Sequence, residues 1–251
     1  MIHLQRYFIE LAYKGTAYHG WQLQPNSLAI QEVLNKAMFT FFRQEIATLG
    51  CGRTDTGVHA TQFYAHFDLS HPIAEEELPK AVKSLNSLLP YDIAIKRLIA
   101  VKADAHARFD AFERSYEYHV HFDKDPFKTD TSWLLKDQLD IKAMNEAAKI
   151  IMNYDDFGAF CKANADNFTN LCKVSRSEWE ITNDGLIYHI VANRFLRNMV
   201  RAIVGTLVDI GKRKMKPEMM HQIIQSQNRS SAGSSVPACG LFLTSIKYPY
   251  I

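Results

Sequence analysis

Tyr7-Phe8-Ile9-Glu10-Leu11-Ala12-Tyr13 is the stretch from which the fold can be read. Tyr7, Ile9, Leu11 and Tyr13 alternate with Phe8, Glu10 and Ala12, the period-two pattern of a strand, and Lys14-Gly15 ends it. Downstream, Ser27 is expected to cap an amphipathic helix built on Ile30, Val33, Leu34, Ala37, Met38, Phe41 and Phe42. Residues 45–49 read as a short strand, followed by a glycine-bracketed loop from Gly50 to Ala60. Phe63, Ala65 and Phe67 alternate as another strand. Leu78, Ala81, Val82, Leu85 and Leu89 make a second helix stopped by Pro90, and residues 92–99 close the half as a strand. The order is β-α-β-β-α-β.

The second half repeats it. Tyr116, Tyr118, Val120 and Phe122 mark a strand face, and residues 141–152 a helix. Strands at 171–181 and 186–192 flank the turn Asn183-Asp184-Gly185. A helix over 195–211, a short one over 217–226 begun by Pro217, and a strand over 240–246 follow. The segment 227–238 is small and polar, and reads as a mobile loop. The expected fold is α+β: two ferredoxin-like halves forming a continuous mixed or antiparallel sheet, helices on one side, a basic cleft between the halves. Apolar alternation lapses over 101–111, which places the break between an N-terminal domain, 1–105, and a C-terminal domain, 106–251.

The 251 residues are 47% hydrophobic and 22% charged, values that exclude a disordered or collagen-like chain. No uncharged apolar run reaches membrane-spanning length, and the first residues lack the apolar core of a signal peptide. The net charge of +2 permits a nucleic-acid partner without implying one. Cys51, Cys161, Cys172 and Cys239 form no Cys-x-x-Cys pair, which argues against zinc and suits a reducing cytosol.

Three segments carry residues suited to chemistry. In Gly50-Cys51-Gly52-Arg53-Thr54-Asp55-Thr56-Gly57-Val58-His59-Ala60, glycines bracket a cation, hydroxyls and a carboxylate. Asp55 either closes an ordinary turn through its own backbone or serves as nucleophile or base on a rigid loop. No Gly-Lys-Ser/Thr follows, so this is not a phosphate-binding P-loop. His59 reads as a hydrogen-bonded scaffold residue. In Arg114-Ser115-Tyr116-Glu117-Tyr118, the tyrosines either line a half-buried strand or offer a ring to a flat base. In Asn193 to Arg201, the spacing of Arg194, Arg197 and Arg201 predicts one helical stripe of guanidiniums. Residues 194–216 hold seven Lys or Arg against Asp209, a local charge of +6. Arg201 precedes Ala202-Ile203-Val204 and reads as buried, which calls for an anionic partner.

Gly52-Arg53-Thr54-Asp55-Thr56-Gly57-Val58-His59-Ala60 resembles the signature of the TruA family of tRNA pseudouridine synthases. Further resemblances follow in order: Tyr13-Lys14-Gly15-Thr16 with Tyr18-His19-Gly20-Trp21-Gln22, Arg108-Phe109-Asp110-Ala111 with Arg114-Ser115-Tyr116, Phe195 to Arg201 with Gly205, and Pro237 to Leu243. Arg197-Asn198 and Asp110 stand at positions where the family varies or prefers other residues. The resemblance implies that Asp55 is the catalytic aspartate, Tyr116 stacks on the target base, Arg201 pairs with the carboxylate and Arg53 holds the displaced nucleotide. Arg194 and Arg197 are expected to meet phosphate. It further implies a cytoplasmic homodimer that isomerises uridine to pseudouridine at positions 38, 39 and 40 of the tRNA anticodon stem-loop, without cofactor, metal or membrane. The alternatives are an inactive RNA-binding homologue and a hydrolase with an aspartate nucleophile.

Overall fold

The computed structural model describes residues 4–162 and 168–251. The chain forms two compact units. One comprises residues up to Phe112 together with Leu243–Ile251, and the other Glu113–Phe242.

In the first unit β1 (Gln5–Tyr13) lies between β3 (His59–Leu69) and β4 (Ile93–Val101), antiparallel to both. The short β2 (Leu49–Gly50) pairs with β3, so the strands run β4-β1-β3-β2. Helices α1 (Ile30–Phe42) and α2 (Leu78–Asn86) pack on each other, and α2 packs on β4. Tyr7, Phe67, Trp21 and Phe63 form the core on the first strand face, with Trp21 and Phe63 ring centres 4.2 Å apart. Each such ring removed from water contributes roughly 1.5–3 kcal/mol.

The alternation in β1 suggests one dry face, yet both faces are buried. Phe8 has no exposure and lies 5.1 Å from the Tyr248 ring. Glu10, 5% exposed, accepts from Tyr64 Oη at 2.9 Å and Gln62 Nε2 at 3.0 Å, and pairs with Arg97. Burial alone would raise its pKa, but these donors outweigh it and hold the carboxyl below its ordinary value.

The second unit is built on β5 (Glu113–His121), β8 (Gly185–Ala192) and β7 (Val174–Ile181), consecutive antiparallel neighbours. β6 (Trp133–Leu134) runs parallel to β5. α3 (Ile141–Ile151) packs on β7, on α4 (Met199–Gly211) and on α5 (Met219–Ser226). Asp140 caps α3 by accepting from Ala143 N–H at 3.1 Å. β9 (Leu241–Lys247) leaves this unit and enters the first at Leu243, where Ile246 N–H donates to Gln62.

The structure amends several expectations. Ser27 does not cap α1; Ala29 holds that position and Ser27 bridges Gln24. The strand expected at 45–49 shrinks to Leu49–Gly50. The break expected at 105/106 lies within the first unit, because side chains satisfy the backbone of that polar segment. Arg6 donates to Ala105 O, Ala107 N–H donates to His66 Nδ1, and Tyr248 donates to Ala107 O at 2.6 Å. Among the described residues no helix is long and apolar enough to cross a membrane.

Candidate active site

The loop from Cys51 to Val58 is held by the last residue of β1 and by the segment that follows it. Tyr13 Oη and Thr54 Oγ1 share a buried hydrogen bond of 2.8 Å. Thr54 O accepts from Trp21 N–H, Tyr18 O accepts from Gly57 N–H, and Asp55 O accepts from Val58 N–H at 3.1 Å. His59, 1% exposed, accepts from Gly15 N–H through Nδ1 at 3.0 Å, so that nitrogen carries no proton. Gly20 has φ +85°, and a Cβ there would stand 2.2 Å from Thr54 O. The two chain segments touch backbone to backbone, an approach open only to glycine. Asp55 is therefore held at both sides while its own side chain remains half-exposed, and Arg53 beside it is exposed.

In the second unit Tyr116 and Tyr118 share a face of β5 but not an environment. Tyr118 is fully buried, donates to Pro237 O at 2.8 Å, and burial raises its pKa. Tyr116 is half-exposed, its ring edge-on to Phe195 at 5.1 Å. The expected arginine stripe does not form. Helix α4 begins only at Met199, after Asn198 in the left-handed region at φ 67°, so Arg194 and Arg197 lie in irregular chain before it. Asparagine tolerates that conformation better than most residues, and it breaks the helical register. Arg197 is exposed and its carbonyl accepts from Lys162 N–H. Arg194 is half-exposed.

Arg201 lies within α4 but is half-exposed rather than buried. Its Nε donates to Val236 O at 2.7 Å, and its carbonyl accepts from Val236 N–H at 3.3 Å. The segment expected to be mobile is thus fastened to α4. Gly233 N–H donates to the buried Thr206 Oγ1 at 2.8 Å, and Ser234 O occupies the space a Cβ on Gly205 would take. Nothing in the hydropathy pattern signals this clamp. The only cue is the small, glycine-bearing composition that also suits a mobile loop.

The family model described as tRNA pseudouridine synthase matches residues 147–249. A protein of Bacteroides fragilis named tRNA pseudouridine synthase A is 47% identical over 98% of this chain and 97% of its own. Its namesake in Bacteroides thetaiotaomicron is 47% identical over 98% and 91%, and that of Bacillus subtilis 36% over 95% and 97%. The chain belongs to the TruA family.

Each TruA motif acquires a local task. The amino-terminal motif clamps the Asp55 loop from below. In the central motif, Asp110 accepts from His106 N–H at 2.7 Å and from Tyr250 Oη, fixing a turn on which Arg108 lies 5.5 Å over the Phe109 ring. The closing motif supplies Pro237, whose carbonyl receives the Tyr118 hydroxyl. Among the described residues no disulfide joins the cysteines, and burial pushes the Cys172 thiol up to about 11, keeping it protonated. Among the described residues no group of three or more His, Cys, Asp or Glu side chains is placed to hold a metal ion.

Proposed function

We propose that this protein isomerises uridine to pseudouridine at positions 38, 39 and 40 of the tRNA anticodon stem-loop, with Asp55 as the catalytic carboxylate. The observation that carries the reading is the Asp55 loop: its backbone is bonded on both sides, yet the carboxylate side chain is not buried. An ordinary surface turn needs no such fixation, whereas a reacting group must stay within a fraction of an ångström of its target.

A uridine inside a stem must first leave the stack, at a cost of a few kcal/mol. Arg53 fills the vacated space and Tyr116 receives the base on its ring. Asp55 then acts at C6, at C1′ or on the 2′ proton. The N1–C1′ bond breaks, the uracil turns, and C5 bonds to C1′. The proton on C5 leaves to Tyr116 or water. Arg201 supplies the counter-charge to Asp55, and Arg194 and Arg197 meet phosphate. We propose that each half is ferredoxin-like, that the reacting groups line a basic cleft between the halves, and that the enzyme is a cytoplasmic homodimer using no cofactor.

The test is tritium release from C5-labelled uridine in tRNA by the wild type and by Asp55→Asn. The wild type releases tritium and the variant binds tRNA nearly as well but is inactive. If Asp55→Asn keeps more than about a tenth of the rate, less than about 1.4 kcal/mol of barrier, Asp55 is not the reacting group. An inactive wild type leaves an RNA-binding homologue.

A further inference from the structure

Arg229 stands outside the residues assigned above, half-exposed on the short turn Arg229–Ser231 that follows α5. Its guanidinium spans three neutral oxygens. Nη1 donates to Gly233 O at 3.0 Å and more weakly to Ala232 O at 3.4 Å, and Nη2 donates to Ser235 Oγ at 3.0 Å. The turn itself is capped by Asn228, whose Oδ1 accepts from Ser230 N–H at 3.0 Å.

Those oxygens belong to the strap that holds Arg201. Ser235 Oγ also receives Asn198 Nδ2 at 2.5 Å, tying the strap to the residue that starts α4. One residue further on, Val236 exchanges two hydrogen bonds with Arg201: its carbonyl takes Nε, and its N–H donates to the Arg201 carbonyl. An Nε contact does more than hold the residue. The guanidinium is planar and rigid, so fixing Nε sets the plane and direction of the two terminal nitrogens. The position of Val236 O, and with it the aim of Arg201, is set by a strap that Arg229 closes.

We propose that Arg229 is a positioning residue: it locks the segment Ala232–Val236 onto α4 so that Val236 O orients the Arg201 guanidinium. The proposal rests on the reading that Arg201 serves turnover. A fork of fixed geometry suits the task, because its two terminal nitrogens reach separate oxygens in set directions, whereas an ammonium gathers its three donors on one nitrogen at the end of a flexible stem. A phosphate-binding role would call for a different arrangement, with the fork turned outward instead of spent on carbonyls of its own chain.

The experiment is a double-mutant cycle on the full-length protein, with single-turnover rate, tRNA affinity and its salt dependence, and melting temperature measured for each variant. The variants are Arg229→Ala, Arg229→Lys, Arg201→Lys and the double variant Arg229→Ala/Arg201→Lys. Arg229→Ala is expected to cut the rate about tenfold and to change tRNA affinity less than about threefold, with Arg229→Lys recovering little. With lysine at 201 the Nε–Val236 contact is gone, so adding Arg229→Ala costs less than a further twofold or so. An equal, multiplicative loss in both backgrounds means Arg229 only stabilises the unit, and overturns the proposal. Weakened affinity with a shallower salt slope and an unchanged rate makes Arg229 a phosphate contact, and also overturns it. If Arg201→Lys itself keeps the wild-type rate, the reading of Arg201 fails first and takes this inference with it.

Discussion

Gly20→Ala probes the junction on which the Asp55 reading depends. Two costs add. The backbone at φ +85° suits glycine and disfavours an L side chain by about 1–2 kcal/mol. The new Cβ would lie 2.2 Å from Thr54 O and 3.1 Å from the carbonyl carbon of Asp55, so backbone has to move. Forcing an extra carbon into a packed site costs about 1–3 kcal/mol. The total expected loss is about 2–5 kcal/mol. It falls on the loop, because Gly20 O is also bound to Ile30 N–H at the start of α1 and cannot easily retreat. Urea unfolding gives the stability change, and single-turnover tritium release below the unfolding range gives the effect on chemistry. We expect a rate loss beyond tenfold with tRNA affinity nearly kept, since displacing a reacting group by an ångström costs on the order of a hundredfold. Gly52→Ala is the stability control: no atom beyond its own residue and its two chain neighbours lies within 4 Å of its Cβ position, so its unfolding should shift by less than about 0.5 kcal/mol. A Gly20→Ala protein as stable and as fast as the wild type would refute the clamp.

Tyr116→Phe keeps the ring and Tyr116→Ala removes it; if stacking is the whole role the first stays active and the second fails in tritium release, and near-normal activity in both means an ordinary strand tyrosine. Arg194→Ala and Arg197→Ala should each weaken tRNA binding across all sequences and reduce the salt slope by about one, measured by titration at several ionic strengths; an unchanged slope removes them from the phosphate contacts. His66 gives a pH signature. Burial, with Arg6 and His106 nearby, lowers its pKa from 6.5 to about 4. The unfolded chain therefore takes up this proton first, and the contribution of His66 is complete above pH 6.5 and lost as pH falls toward 4. His66→Gln should flatten that part of the stability curve followed by urea unfolding; an unchanged curve assigns the slope to other groups, first among them the neighbouring His106, whose pKa burial also lowers.

Strands and helices were legible where one periodicity ran without interruption, as in β1, β3, β8 and α3, because side-chain alternation or helical spacing is a local property of the chain. The candidate loop was legible as well: three glycines around Arg53, Thr54 and Asp55 can be read without knowing what lies beneath them. What the alternation in β1 could not reveal is that its second face is also covered, by Tyr64, Tyr248 and the Glu10 network from distant segments. The arginine spacing around 197 promised a stripe, but Asn198 in the left-handed region delays α4. Spacing predicts a shared helical face only if the helix exists at every position counted. The segment 227–238 looked mobile because its order comes from the guanidiniums of Arg201 and Arg229, the Asn198 amide, a buried threonine hydroxyl and a backbone contact at Gly205. The sequence alone determined the order of elements and the chemical groups available. Tertiary structure decided which backbone each group is fastened to, because those bonds join residues far apart in the chain and leave no periodic trace in it.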